Sequence, residues 1–327
     1  MERQFPIKKS PEDKRDFKLT ELLAPIPLPI SKTNSQYCSP SEEQDVYGLC
    51  WSFMMDSIIN WYCNKYRLNS KHRLSPLYIA QAVKGSTYSD YPLQEGESIR
   101  AAIKGGQKAG TVAWSRYPYE AYQGGLRFPL APEDLLLVSE RFRIGPYAKV
   151  STIDEIKQSL NAEKPVASGI VWTDRFMDKN WLDFPFGTVK GGHAIPLYDY
   201  SDTLTKWGRT GWVKFQNSWG EDWCDEKGFG YVSYDYLRHV DDQMNMPFLI
   251  DAYSVDFINT TIPAYNVNLQ IDSRDAYADD IPYFLDQPPI IDTSTGRTLL
   301  PVRAIADMAG YRVNWESTTR RINLRRV

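Results

Sequence analysis

The chain has 327 residues, of which 42% are hydrophobic, and a formal net charge of −3 at pH 7. This is long and apolar enough for two compact domains with cores of their own. The small net charge creates no field that attracts nucleic acid or an anionic membrane, so we expect no nucleic-acid partner. No apolar run approaches the roughly 18 residues of a membrane-spanning helix, so we also expect no membrane span.

Residues 1–36 are predicted to form an N-terminal arm. The arm begins with charged residues and lacks the apolar stretch of an ordinary secretory signal peptide. The run LLAPIPLPI follows, and its prolines favour an extended path over a helix. We expect the arm to pack along the body of the protein; its sequence does not indicate whether it covers a functional site.

The chain is predicted to be mainly helical up to about residue 160. The run CWSFMMDSIINWYCNKY is apolar nearly all round, which is typical of a buried helix. The run TIDEIKQSL begins with a Thr–Glu pair at the spacing of a capping box. The predicted helices are Cys50–Tyr66, Ser98–Ala109 and Thr152–Leu160.

Later residues, up to about 250, are predicted to be rich in strands. Their β-prone runs are separated by Gly, Asp and Thr turns, and they are PVASGIVW, GHAIPLYDY, GWVKFQNSW and GYVSYDYL. Helices early and strands late predict an α+β fold of two lobes for residues 37–258.

A second domain is predicted for residues 263–327, after a boundary near residues 258–266. Its length of about 65 residues is enough for a module that folds alone. We expect a helix over Val302–Ala309, stopped by Gly310, and then two strands around a turn. The module contains no His and no Cys, so its side chains are poorly suited to bind copper.

The chain has only four cysteines and three histidines. No C-x-x-C pair occurs, which disfavours a structural zinc site, and the scarcity of histidine disfavours a multi-histidine metal centre. We therefore predict no metal site and no cofactor. Three cysteines (Cys38, Cys63 and Cys224) are expected to be free buried thiols rather than a disulfide framework.

The fourth cysteine, Cys50, follows a glycine turn and starts the first predicted helix. A thiol at a helix N-terminus lies at the positive end of the helix dipole, which favours the nucleophilic thiolate. A buried cysteine that only packs in a core is the alternative, and taken alone this position does not exclude it.

A base and its orienting group are also available in the strand-rich region. His193 follows Gly191 and Gly192, which let the backbone pass close to a substrate or a thiol. The amide oxygen of Asn217 can accept a hydrogen bond from the imidazole, and Trp219 lies on the same face of an extended strand and can shield that bond. A core histidine and a turn asparagine are the structural alternative for each residue alone.

Together, these residues resemble the motifs of papain-like cysteine peptidases. The matching segments are Gln44, Cys50-Trp51-Ser52-Phe53, Gly192-His193-Ala194 and Asn217-Ser218-Trp219-Gly220, in the order of that family and with its six-residue step from Gln to Cys. The resemblance implies a two-lobe fold and cleavage of a peptide or protein substrate through an acyl-enzyme thioester.

The same resemblance implies a role for each matching residue. Cys50 is the nucleophile, His193 the acid and base, and Asn217 its orienting group. Gln44 donates to the oxyanion together with the backbone N–H of Cys50. Gly96, Gly191, Gly192 and Trp219 are candidate substrate-binding residues; for Gly96 an ordinary loop glycine is the equally weighted alternative.

Two residues beside Cys50 depart from the family pattern. Tyr47 occupies a position where family members often carry a disulfide-forming cysteine, and Leu49 replaces a small residue. Both changes crowd the cleft. Two alternatives therefore remain beside the peptidase: an inactive scaffold that binds peptides, and a thiol transpeptidase or amidase acting on cell-wall peptides.

The C-terminal module resembles the small domain named after the N-terminal region of copper amine oxidases, in the segment GRTLLPVRAIADMAGYRVNWESTTRRINL. That resemblance implies a protein in the cell envelope or exterior of a bacterium and a partner contacted through the module. Packing on the catalytic lobes is the alternative role. The compartment stays open, because the N-terminus of this chain resembles no export signal.

Overall fold

A computed structural model describes residues 3–14, 16–22, 26–66, 73–84, 95–122, 131, 135, 139, 142–241, 246–257, 267–278, 281–285, 287–308, 311–316 and 318–326. The predicted boundary near residues 258–266 lies outside these ranges. The helices are α1 (Leu19–Leu22), α2 (Cys50–Lys65), α3 (Pro76–Lys84), α4 (Ile99–Lys108), α5 (Ile153–Asn161), α6 (Tyr234–Arg238) and α7 (Val302–Met308).

The strands fall almost entirely in the second half of the chain. They are β1 (Ser31–Lys32), β2 (Ile144–Lys149), β3 (Val166–Thr173), β4 (Trp181–Leu182), β5 (Val189–Lys206), β6 (Arg209–Gln216), β7 (Phe229–Ser233), β8 (Val240–Asp241), β9 (Met246–Pro247), β10 (Leu249–Phe257), β11 (Val267–Leu269), β12 (Asp275–Ala278), β13 (Ile281–Phe284), β14 (Ile290–Asp292), β15 (Arg297–Leu299), β16 (Tyr311–Glu316) and β17 (Arg321–Arg326).

The helical lobe is built around α2. Nearly every side chain of this helix is buried, as its apolar composition predicts, and α3 and α4 pack against it. Ser98 caps α4 by accepting a hydrogen bond from the backbone N–H of Ala101. The predicted helices over residues 50–66 and 98–109 are therefore present to within a residue at each end.

The sheet lobe is one mixed sheet of eight strands in the order β2-β10-β3-β5-β6-β7-β4, with β1 paired to β5. Its pairs are antiparallel except β4 with β7. Helix α5 covers the sheet and carries the predicted capping box between Thr152 and Glu155. The sheet's long central strand β5 runs beside α2, so the junction of the two lobes lies along these two elements.

Two β-prone runs are only partly strands. In GWVKFQNSW the strand β6 ends at Gln216, so Asn217 and Trp219 lie beyond it and not on an extended strand as expected. In GYVSYDYL the strand β7 ends at Ser233, and the remaining residues form helix α6. The physical reason is an N-cap, because the Ser233 hydroxyl accepts a hydrogen bond from the backbone N–H of Tyr236 at 3.0 Å.

The C-terminal module contains α7 and a β16–β17 hairpin, as expected, and Gly310 lies outside the described residues. In the hairpin, Trp315 pairs with Ile322 and Val313 with Leu324. Directly opposite residues share a face, and on this face Trp315, Ile322 and Leu324 are each about half exposed.

Candidate active site

Cys50 is the first residue of α2 and lies at the junction of the lobes. The glycine turn before it ends in Leu49, after which the helix begins, so the thiol occupies the helix N-terminus predicted from the sequence. The thiol is completely buried and hydrogen-bonds to the backbone of Ala194, the residue after His193 on β5. Cys50 therefore lies where α2 meets β5, the strand that carries His193.

His193 is hydrogen-bonded to Asn217. Its Nε2 lies 2.8 Å from Oδ1 of Asn217, and Asn217 follows directly after the end of β6. The other ring nitrogen, Nδ1, is buried and has no hydrogen-bond partner among the described residues. One nitrogen is thus fixed by the amide, and the other remains available for proton exchange with a thiol or a leaving group.

Aromatic rings enclose this histidine. The Trp219 ring lies 5.1 Å from the imidazole ring, which is the shielding position that the sequence predicts. The ring of Trp172 on β3 lies 5.0 Å from the imidazole ring in an edge-to-face geometry. Trp172 also contacts Trp219. Sequence analysis missed Trp172, because its place beside His193 depends on the β3–β5 register, in which it pairs with Gly191.

Gln44 is buried and held close to the same site. Its Nε2 donates to the carbonyl of Tyr47 at 2.7 Å, and its Oε1 accepts from the Ser218 hydroxyl. Its backbone carbonyl accepts from the Tyr119 hydroxyl at 2.8 Å. These bonds fix the side-chain amide and leave its second N–H for an oxyanion.

The N-terminal arm occupies the cleft between the lobes. The backbone N–H of Ile7 donates to the carbonyl of Gly192 at 3.0 Å, and the N–H of Gly192 donates to the carbonyl of Phe5 at 3.1 Å. On the helical side, the N–H of Lys8 donates to the carbonyl of Glu97 at 3.3 Å. The arm therefore bridges both walls of the cleft through its backbone.

All three predicted substrate-binding glycines lie against this arm. A Cβ on Gly96 would stand 2.5 Å from the carbonyl oxygen of Pro6, and one on Gly192 would stand 2.6 Å from the carbonyl oxygen of Ile7. Gly191 has a φ of +141°, and a Cβ there would overlap the carbonyl oxygen of Phe5. Glycine is needed at these places because the arm's backbone approaches so closely.

Side chains of the arm continue the contact toward the reacting groups. Phe5 meets His193 edge-on, with ring centroids 5.9 Å apart, and also contacts Trp219. Arg3 lies over the Trp219 ring and forms an ion pair with Glu43 at 2.7 Å. The arm thus covers the histidine, which sequence analysis left undecided.

This enclosure sets the protonation states of the pair. Burial raises the pKa of the Cys50 thiol to about 12, although backbone hydrogen bonds oppose the shift. Burial lowers the pKa of His193 to about 4; the hydrogen bond to Asn217 opposes this shift, and the positive charge of Arg3 adds to it. With the arm in place, thiol and imidazole are both neutral at pH 7.

The described residues contain no group of three His, Cys, Asp or Glu side chains that could hold a metal ion. All four cysteines are free thiols; Cys63 is buried as expected, whereas Cys38 and Cys224 are only partly buried, contrary to the expectation. Within the described part of the chain, no helix is long and apolar enough to cross a membrane. The polar groups described at the candidate site are a thiol, an imidazole and side-chain amides.

Solved structures of cysteine proteases have the same fold. The protease xylellain from Xylella fastidiosa is 19% identical, with a TM-score of 0.63 over 79% of this chain and 99% of that chain. The protease and lectin-like domains of Cwp84 from Clostridium difficile are 15% identical, with a TM-score of 0.58 over 84% of this chain and 61% of that chain. Digestive procathepsin L 3 of Tenebrio molitor is 18% identical, with a TM-score of 0.54 over 77% of this chain and 76% of that chain.

These similarities confirm the expected α+β, two-lobe fold of papain-like cysteine proteases. No curated protein matched the chain in sequence. Residues 258–324 match the family model described as copper amine oxidase N-terminal domain, which confirms the resemblance expected for the C-terminal module. Because the module has neither His nor Cys, its side chains do not fit a copper centre, despite the name.

Proposed function

We propose that this chain is a cysteine endopeptidase that its own N-terminal arm keeps latent. The observation that carries the proposal is a buried thiol at a helix N-terminus that packs on β5, the strand with a histidine whose Nε2 is hydrogen-bonded to an asparagine amide. Gln44 beside them supports the same reaction, since it has an N–H to offer a developing oxyanion. The substrate class is a peptide or protein.

In the proposed reaction His193 takes the proton of Cys50, and the thiolate attacks the carbonyl carbon of the peptide. The oxyanion accepts hydrogen bonds from Gln44 and from the backbone N–H of Cys50. His193 then protonates the leaving amine as the C–N bond breaks, which leaves a thioester. A water molecule, deprotonated by His193, hydrolyses the thioester and restores the thiol.

The latent state is supported by the position of the arm. A substrate needs the backbone of Gly192 and the space beside Gly96, and residues 5–8 fill both. The neutral thiol and imidazole in the enclosed site also lack the ion pair that makes a thiol nucleophilic. Displacement of the arm would hydrate both groups and open the cleft in one step.

The test is hydrolysis of a fluorogenic peptide library by the full chain before and after the arm is loosened by Ile7→Asp. Hydrolysis that appears on loosening and disappears with Cys50→Ala supports the proposal. A folded, loosened chain that cuts no peptide and transfers no acyl group overturns it. An added amine separates the two chemistries, because a transpeptidase yields the aminolysis product in place of the acid.

A contact role for the C-terminal module is part of this proposal. The half-exposed Trp315, Ile322 and Leu324 on one face of the β16–β17 hairpin support it, because a monomer surface seldom leaves a row of large apolar side chains uncovered. The test compares how cell-envelope fractions bind the full chain and a chain that ends at residue 257. Retention of the full chain alone would support a partner in the envelope, and equal release of both chains would oppose it.

A further inference from the structure

Glu95 is a buried acidic side chain to which the proposed reaction assigns no role. It is only 7% exposed and lies beside the turn that leads into α2. Its Oε2 accepts from the backbone N–H of Gly48 at 2.5 Å, and its Oε1 accepts from the Tyr122 hydroxyl at 2.6 Å. Its backbone carbonyl accepts from the indole N–H of Trp51 at 2.8 Å. A single residue thus binds the turn, the nucleophile's helix and the Tyr122 segment.

These bonds reach both proposed oxyanion donors. Gly48 lies two residues before Cys50, whose backbone N–H is one donor. The ring of Tyr122 packs edge-to-face on Tyr47, with centroids 4.9 Å apart, and the Tyr47 carbonyl holds the side-chain N–H of Gln44. Glu95 therefore anchors the loop between the two donors directly at Gly48 and, through the ring of Tyr122, indirectly at Tyr47.

A strong anchor is needed here because the loop has no covalent one. Tyr47 stands where a disulfide-forming cysteine often occurs in the resembled family, and all four cysteines of this chain are free. Gly48 also gives the loop backbone freedom that must be restrained. The Glu95 side chain restrains the loop without a covalent bond, because it accepts hydrogen bonds from the N–H of Gly48 and the hydroxyl of Tyr122. Hydrogen bonds to a carboxylate are among the stronger hydrogen bonds in proteins.

We propose that Glu95 is a positioning residue that holds the Gln44–Cys50 loop so that its two N–H donors converge on one oxygen. The inference rests on the proposed peptidase function and extends it. Glu95 touches no reacting atom and acts only through the loop. Misplacing a donor by a fraction of an ångström weakens its hydrogen bond in the transition state and leaves the thiol itself unchanged.

The experiment compares two reactions of Cys50 in the full chain carrying Ile7→Ala to loosen the arm. Peptide hydrolysis needs the oxyanion donors, whereas alkylation by iodoacetamide needs only the thiolate. We expect Glu95→Gln to lower kcat about 10- to 100-fold, with KM and the alkylation rate changed by less than about twofold. Tyr122→Phe, which removes one hydroxyl, should lower kcat in the same way by a smaller factor.

The matched control is Asp199→Asn. Asp199 also accepts backbone N–H groups, those of Asn34 and Ser35, but these lie outside the cleft, so kcat should stay unchanged. In a Gln44→Ala background the effect of Glu95→Gln should shrink to less than about threefold, because one of the two donors is already gone. A merely structural role predicts the full effect in both backgrounds.

Several results would overturn the inference. If kcat is unchanged in both Glu95→Gln and Tyr122→Phe, the role of Glu95 is overturned and the proposed function stands. The same holds if alkylation of Cys50 slows as much as hydrolysis does. If Glu95→Gln does not fold, Tyr122→Phe decides by the same two rates. A parent chain that alkylates at Cys50 but hydrolyses no peptide would overturn the proposed function, and this inference with it.

Discussion

Replacing Ile7 with alanine should release the arm and raise peptidase activity. Ile7 is 8% exposed, and it packs against Gly169 and Gly192 on the sheet side of the cleft. Alanine removes three carbon atoms from this contact, at about 0.8 kcal/mol for each buried CH₂-sized group, so the closed state loses about 2 kcal/mol. At 1.4 kcal/mol for each factor of ten, the open fraction rises about 30-fold.

The assay is the initial rate of hydrolysis of one fluorogenic peptide at pH 7.5 and at a substrate concentration well below KM, because saturating substrate would itself displace the arm from the cleft. Ile26→Ala is the matched control, because Ile26 lies in the same N-terminal segment and is 52% exposed. We expect about 30-fold higher activity for Ile7→Ala and no change for Ile26→Ala. Equal activities of both variants and the parent would refute the view that the arm holds the site closed.

Three further predictions follow from the site. Gln44→Ala should lower kcat about 100- to 1,000-fold, as expected for the loss of one oxyanion donor, with alkylation of Cys50 unchanged; a fall of less than about threefold would contradict the assigned role. The closed state should also weaken as pH falls from 6.5 toward 4, because the pKa of His193 is about 4 when enclosed and returns to its ordinary value when exposed, so that the open state binds the proton. The closed state loses about 3 kcal/mol by pH 4, so the protection of the Ile7 and Lys8 amides against hydrogen exchange, measured relative to the intrinsic rate at each pH, should fall, and His193→Gln should remove this pH dependence. Finally, a chain ending at residue 257 should keep its activity on soluble peptides to within about twofold, because the cleft is built from residues 3–257; a large loss would show that the module supports the catalytic lobes.

The sequence predicted the parts of the site whose signals are local. Cys50 begins α2 because a glycine turn precedes an apolar helical run, and the Thr152 capping box can be recognised from two residues at a fixed spacing. The pairing of His193 with Asn217 was predicted from motif order, although His193 lies on β5 and Asn217 follows the end of β6.

Contacts made between distant segments could not be predicted in this way. The arm reaches Gly192 through backbone hydrogen bonds, which leave little trace in side-chain patterns. Glu95 likewise looks like an ordinary loop residue until the fold places it beside Gly48. In both cases the partner is chosen by the packing of two lobes, and local propensity contains no information about that packing.

The most direct test of the account is the intact mass of the chain after incubation with an epoxysuccinyl inhibitor of thiol peptidases. We predict one adduct, formed slowly by the wild type and quickly by Ile7→Ala, absent in Cys50→Ala and strongly reduced in His193→Ala. That result would establish a working Cys50–His193 pair behind a displaceable arm. No adduct on folded Ile7→Ala, or an adduct that persists in Cys50→Ala, would contradict the account.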